Sequence, residues 1–554
     1  MNQYKASGKI QMTRMACALI GIGFIAVLSG CGGGSSGPAP EPVIPPTVSI
    51  DVFGARGGTL TAIVSSTGCA ATPTVTWQSS AGVAMGSGTN IQDTQANAAL
   101  IATATCSTAT ATQTLAANSV HSALSAFAVL QNGTAVAWGN PVWGGQTSTA
   151  AAITGISQLY ASERGFAALL TDNSIKAWGS SYVAITDPNL VYPATGAIAS
   201  SALTNIASII PGRVAYFATK KDGSVAAWGS FRGITNGVDG YIGDSKIGLN
   251  PITLALLTDI KGQASTEGAY ALLKSDGTVV TFGDQDAGGN SSAVQSLLVN
   301  VTQLVGSNFD FVALRKDGKV VTWGYGYTSS SGDAEINTTL TDIAKVYANG
   351  YAGAAIDNKG AASAFGYTPL IDSADTSTLT NSLTNVSQIY ATQSAFAALR
   401  ADGTVISWGD LLRMGSSLNA VQSSLTNVKS IQSTEYAFAA LKNDGTVVSW
   451  GDPELGGDSS AVSAQLTKVV TLTSNKYAFA ALKSDGTVVT WGMKSKGGDS
   501  SAAAAKLSNV RAIYTTAYGA FLAINKDGSF VVWGDQWAGG GAVPATLTKI
   551  PYTS

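Results

Sequence analysis

Ten times along this chain an aromatic-Gly pair follows a turn residue by five positions, and this period restricts the fold more tightly than any other feature. The pairs are Trp138-Gly139, Trp178-Gly179, Trp228-Gly229, Phe282-Gly283, Trp323-Gly324, Phe365-Gly366, Trp408-Gly409, Trp450-Gly451, Trp491-Gly492 and Trp533-Gly534. The turn residue is Gly in every unit but one, where it is Asn173. Successive aromatics lie 40, 50, 54, 41, 42, 43, 42, 41 and 42 residues apart. A second marker, Leu/Ile-x-x-Val/Ile, opens the next unit, as in Leu383-Thr384-Asn385-Val386 and Leu425-Thr426-Asn427-Val428.

Each unit supplies about three strands: one after the Leu-x-x-Val signal, then two arms of a hairpin closed by a tight Asp-Gly turn. Phe438-Ala439-Ala440-Leu441 and Val447-Val448 are apolar on both faces, so the small sheet they form is covered on both sides. Recurrent alanine lets stacked sheets approach, and Phe and Trp fill the gaps between them. A radial array of blades meets these demands and leaves only short edges. The expected fold is therefore all-β: a β-propeller of about ten short-repeat blades over residues 118–554. The chain ends Leu547-Thr548-Lys549-Ile550-Pro551-Tyr552-Thr553-Ser554, restarting the repeat, and this tail is expected to add a strand to the first blade.

The Leu-Lys-x-Asp-Gly-Thr-Val-x-x-Trp-Gly signature is followed by Gly-Gly six residues after the aromatic (Gly144-Gly145, Gly288-Gly289, Gly456-Gly457, Gly497-Gly498, Gly539-Gly540). Together they resemble the regulator-of-chromosome-condensation repeat, closest to its compact bacterial form. The resemblance covers roughly residues 120–554. Seven units are usual in better-known members, which makes seven blades the alternative to ten. Such propellers exchange nucleotides, inhibit enzymes or act as scaffolds, so the fold alone implies no one function.

Residues 1–30 read as a signal peptide: Lys5, Lys9 and Arg14 precede an apolar run from Ala16 to Val27, which is short for a membrane span. Leu28-Ser29-Gly30-Cys31 resembles a bacterial lipobox, which implies acylation of Cys31, and Gly32 after it implies an outer-membrane destination. Loss of the three basic residues takes the formal charge from −2 to −5. Residues 31–46, rich in Gly, Ser and Pro, form a flexible then stiff tether. Residues 47–117 depart from the repeat but alternate as short strands. Thr74-Val75-Thr76-Trp77 followed by Ala102-Thr103-Ala104-Thr105 resembles a bacterial Ig-like β-sandwich, usually a spacer in surface proteins. With Cys17 in the signal peptide and Cys31 at the lipid site, Cys69 and Cys106 remain as a pair for a disulfide in an exported domain.

Chemistry is sparse. The single histidine, His121, sits at the junction of the two domains with no orienting carboxylate nearby, which argues against a catalytic triad. Asp284, Asp410, Asp452 and Asp535 follow aromatic-Gly pairs, and Asp458 and Asp499 follow Gly-Gly; these favour Asx-turns over a calcium site. No two carboxylates are singled out for glycoside hydrolysis. Basic residues recur singly beside Asp at the hairpin turns, which is not a nucleic-acid surface. No catalytic residue, metal or cofactor is expected.

The longest units carry their extra residues after the aromatic-Gly pair, at one place in the repeat, so these loops project from one face. Tyr182, Tyr192, Phe231 and Tyr241 in those loops, with Trp143 and Trp537 in the corresponding shorter loops of the first and last units, are the candidate partner-binding residues. The expectation is a non-enzymatic, surface-displayed lipoprotein that binds a protein partner or serves in adhesion. The alternatives are a glycan-binding propeller and, by analogy with compact propellers, an inhibitor of a cell-wall or lactam-hydrolysing enzyme.

Overall fold

The computed structural model describes residues 45–146, 150–151, 153–180, 203–231, 240–241, 257–325, 335–336, 340–366, 383–409 and 421–553. From Pro46 onward the chain forms one compact unit. Its described residues form a small two-sheet module and ten further sheets, one for each aromatic-Gly pair.

The unit spanning 428–451 shows how the repeat folds. An inner strand (Val428–Ser433), a middle strand (Ala437–Lys442) and an outer strand (Val447–Gly451) pair antiparallel in chain order. The middle strand is buried along Ala437–Leu441, as its two-sided apolar sequence requires. Phe438 and Trp450 are register partners, and their rings stack 5.2 Å apart. At the hairpin, Asp444 Oδ1 accepts from Thr446 N (2.9 Å) and Thr446 Oγ1 (2.6 Å). Gly445 takes φ +79°, a left-handed conformation that suits glycine.

Units are stitched together by the same residues that mark them. Val469 N donates to Gly445 O (2.9 Å), so the opening Val of one blade bonds the hairpin Gly of the previous one. Asn385, Asn427 and Asn509 of the Leu-x-Asn-Val signal adopt φ of 56°, 55° and 60°, a turn that Asn tolerates better than most residues. Five indoles (Trp138, Trp178, Trp323, Trp491, Trp533) donate to the first carbonyl of the Gly-Gly pair in the preceding unit, at 2.9–3.1 Å. A Cβ on Gly456 would lie 2.6 Å from the Phe479 ring, and one on Gly457 would lie 2.3 Å from Gly451 O. The Gly-Gly pair thus brings a carbonyl to the indole through a space no side chain fits.

The ring closes with ten blades, not seven. The tight turns between inner and middle strands link neighbour to neighbour through backbone bonds. Leu124 N donates to Glu163 O and Glu163 N to Arg213 O; from Glu267 the series runs through Asn308, Gly350, Gln393, Glu435 and Lys476 to Ala517. Tyr518 N then returns to Leu124 O (2.9 Å). The C-terminal tail departs from expectation. The first blade is completed by Val120–Ser122, which pairs with Ala126–Gln131. The tail instead joins the last blade to the N-terminal module: Ile550 N reaches Gly528 O (2.8 Å), and Ala116 N donates to Tyr552 O (3.0 Å). Pro551, which lacks the ladder donor, fits this edge role.

In the N-terminal module, β1 (Thr47–Phe53), β2 (Thr59–Thr67), β3 (Thr74–Ser79), β4 (Ala84–Ser87), β5 (Asn90–Gln92), β6 (Leu100–Cys106) and β7 (Ala109–Leu115) form sheets ordered β1-β2-β5 and β4-β3-β6-β7. Trp77 is buried between them, its indole donating to Gly88 O (2.8 Å). Cys69 and Cys106 form a disulfide. Inside the module Arg56 and Asp93 make a buried ion pair (2.6 Å), and Arg56 also bonds the carbonyls of Gln95, Ala98 and Ala116. Such a charge is tolerable only because its donors are matched.

The module is not held away from the propeller as a spacer would be. Gly54 N donates to Arg511 O (2.8 Å), Lys526 pairs with Asp51 (3.0 Å), and the Arg511 guanidinium lies 4.6 Å over the Phe53 ring. Tyr552 Oη bonds Gly54 O (2.9 Å), and its ring joins a core shared by both parts.

Candidate functional site

The two faces of the propeller differ. Hairpin turns such as that of Lys526 and the starts of the inner strands (Val470, Arg511) lie on the face that meets the N-terminal module. On the other face lie the inner-to-middle turns, which form a rim around the central opening, and the described loops that follow aromatic-Gly pairs. Backbone bonds place turn and loop together: Asp284 N donates to Gly268 O, Asp452 N to Tyr436 O and Asp535 N to Gly519 O.

The opening within the rim encloses about 820 Å³ and is polar, with Glu163, Arg213, Asn308, Gln393, Glu435 and Lys476 on its edge. Arg213 pairs with Glu163 at 2.9 Å and approaches Glu267 at 3.8 Å. Such half-exposed pairs steer and orient more than they stabilise.

Of the candidate aromatics, Trp537 is 72% exposed at the join of the last and first blades. Trp143 is half-buried instead, its ring 5.3 Å from Tyr518, which in turn carries Lys476 Nζ at 5.1 Å. Phe231 and Tyr241 sit on paired backbone (Phe231↔Gly240, Ser230↔Tyr241), but their side chains, like Tyr182, Tyr192 and the acylation candidate Cys31, lie outside the described residues. Asp410 does too.

Sequence reasoning missed a second set of aromatics on the rim turns: Phe309, Tyr351, Tyr436, Tyr477 and Tyr518. Phe309 and Tyr351 are 38% and 40% exposed, and Tyr325 in the adjoining loop is 60% exposed. Their signal is an aromatic just before, or in Tyr518 two before, the residue that opens the middle strand, as in Asn308-Phe309-Asp310 and Lys476-Tyr477-Ala478.

The loop aspartates are Asx-turn acceptors. Asp284 takes Asp286 N (3.0 Å), Asp452 takes Glu454 N (2.9 Å), Asp458 takes Ser460 N (2.8 Å), Asp499 takes Ser501 N (2.9 Å) and Asp535 takes Trp537 N (2.8 Å). The N–H of Ser460, followed by its hydroxyl, holds the Asp458 carboxyl below the usual carboxylate range. For Asp535 partial burial works the other way, but the ammonium of Lys496 and the backbone N–H groups of Trp537 and Ala538 together outweigh it, so this carboxyl is also lowered. Among the described residues, no three His, Cys, Asp or Glu side chains gather as metal ligands. His121 pairs in register with Ala128 on the inner strand of the first blade; burial pushes its pKa down to about 4, so it is neutral and not poised as a base near pH 7.

No protein-family model matches the chain, and no curated protein matches it. Among solved structures it is similar to human WBSCR16 (18% identity over 42% of this chain and 77% of that one, TM-score 0.28). It is also similar to Prp20p from Saccharomyces cerevisiae, a structure described with its binding to Gsp1p and histones (15% identity, 62% and 84%, TM-score 0.30). The computationally designed Ika8 protein is a third (14% identity, 69% and 96%, TM-score 0.27). The propeller assignment rests on the ten sheets and their closed rim rather than on these distant likenesses.

Proposed function

We propose that this chain is an outer-membrane lipoprotein, acylated at Cys31, whose propeller binds a protein partner through the rim and loop face without catalysing a reaction. The observation that supports this most directly is the division of the two faces. The N-terminal module meets the hairpin face at the last two blades, whereas Phe309, Tyr325, Tyr351 and Trp537 stand exposed on the other. Exposed aromatics on a rigid support are typical anchors for a protein partner. In this reading the Ig-like module and the tether of residues 31–46 direct that face away from the lipid.

A soluble form starting at residue 31 with Cys31→Ser, and the same form with Trp537→Ala and Tyr351→Ala, serve as baits for cell-surface and periplasmic extracts. A protein held by the first and released by the second supports the proposal. Equal retention by both baits refutes the choice of face. Retention of polysaccharide alone supports the glycan reading, which the ring of Trp537 also suits.

A further inference from the structure

The repeats allow the molecule to be compared with itself. Between blades 9 and 10 (469–492 and 510–534) the cleft between neighbouring rim turns and loops is filled by two lysines of the chain. Lys476 Nζ lies 5.1 Å over the Tyr518 ring; Lys496 Nζ lies 5.5 Å over the Tyr477 ring and bonds Asp535. One aromatic face lies under each ammonium, and a carboxylate also holds that of Lys496, the usual chemistry of a cation site.

Between blades 4 and 5 (260–283 and 301–324) the same cleft has the opposite content. The rim residue matching Lys476 is Glu267: each donates its backbone N–H to the turn of the next blade, Glu267 to Asn308 O (2.8 Å) and Lys476 to Ala517 O (3.1 Å). Five residues after the aromatic, Ala287 replaces Lys496. Asp284 and Asp286 replace Met493 and Ser495. The ring corresponding to Tyr518 remains, as Phe309. A cavity of about 350 Å³ results, lined by Glu267, Gly268, Asp284, Asp286, Ala287, Phe309 and Tyr325. The nearest ion-pair partner of Glu267 is Arg213 at 3.8 Å, and Arg213 is already engaged at 2.9 Å by Glu163. The three lining carboxylates thus outweigh the one cation shared with them.

We propose that this cleft receives a lysine side chain of the protein partner, which supplies the ammonium that Lys476 and Lys496 supply between blades 9 and 10. This deepens the protein-binding reading and rests on it. The aliphatic stem would lie on Phe309 and Tyr325 and the ammonium among Glu267, Asp284 and Asp286.

The test uses the soluble mature chain and a fluorescein-labelled hexalysine peptide, with hexaglutamate as control, followed by fluorescence polarisation at 0.15 M salt. Ala287→Lys and Glu267→Lys each rebuild an internal lysine of blades 9 and 10, so both are expected to weaken hexalysine binding at least tenfold. Asn443→Lys, the same charge change on the opposite face, is expected to leave it within twofold. Hexalysine affinity unchanged in both cleft variants, or lowered equally by Asn443→Lys, overturns the proposal. A partner captured as above, and held equally by wild type and both cleft variants, also overturns it while leaving the choice of face intact. If the cleft variants lose hexalysine but no protein is captured on this face, the cation site stands and the protein-binding reading falls.

Discussion

Tyr552 offers the sharpest test of the claim that the N-terminal module and the propeller are one cooperative body. Its side chain is 3% exposed, its ring lies in a core built from Val52, Leu115 and Trp77 on one side and Leu522, Ile524 and Ile550 on the other, and its hydroxyl bonds Gly54 O. Burial raises the hydroxyl's pKa well above the ordinary value, so it stays a donor at every working pH. Tyr552→Phe removes that hydrogen bond and the longer contact of the same hydroxyl with Val52 O (3.4 Å), for a cost of ~1–1.5 kcal/mol. Tyr552→Ala also opens a cavity where the two parts meet, for a total cost of ~3–5 kcal/mol. Hydrogen exchange read by mass spectrometry locates the loss. At ~1.4 kcal/mol per factor of ten, the Ala variant is expected to lower protection at least a hundredfold. The loss should appear in Thr47–Phe53 and Ala109–Leu115 of the module as well as in Val510–Thr516 of the last blade. Weakened protection confined to residues 547–553 would show that the tail is an ornament on two independent domains, and the cooperative reading would fail.

Three further outcomes follow from particular contacts. Trp178→Phe deletes the indole bond to Gly144 O (3.1 Å) and part of a buried ring, and is expected to cost ~1–3 kcal/mol in urea denaturation; an unchanged midpoint would mean the Gly-Gly carbonyl does not stabilise the blade contact. Reducing the Cys69–Cys106 bond, or replacing both with Ser, releases a loop closed over a separation of 37 residues and is expected to cost ~3–4 kcal/mol, which an unshifted melting profile would refute. His121 is held neutral by burial, with its pKa lowered from 6.5 to about 4, so the unfolded chain binds a proton that the folded chain refuses. That contribution is complete above pH 6.5 and is lost as pH falls toward 4, by roughly 1–3 kcal/mol for a half-buried ring. His121→Gln should flatten the slope in that window. As this is the chain's one histidine, a single imidazole resonance titrating near 6.5 in the folded protein would sink the argument.

Which parts of this could be read from the sequence depends on how far apart the interacting residues lie. The hairpin, its Asp-Gly turn and the aromatic-Gly pair were legible because each is enforced within one unit. Phe438 faces Trp450, and Gly445 needs its positive φ, whatever the rest of the ring does. The Asn of Leu-Thr-Asn-Val was visible as a marker, but its left-handed role emerges only when Val428 N is seen to reach Gly403 O of the blade before. Docking of the N-terminal module was not legible. It depends on Asp51, Phe53, Arg511, Lys526 and Tyr552, residues up to about 500 positions apart that each look like ordinary surface or strand residues. The rim aromatics were missed because they abut the apolar middle strand and read as its first core residue. Only the fold reveals that Phe309 and Tyr351 point off the end of the sheet. The acidic cleft lies furthest from a motif. Glu267 and Ala287 are unremarkable until the ring puts them in register with Lys476 and Lys496, and the difference between those two clefts gives the proposed site its charge.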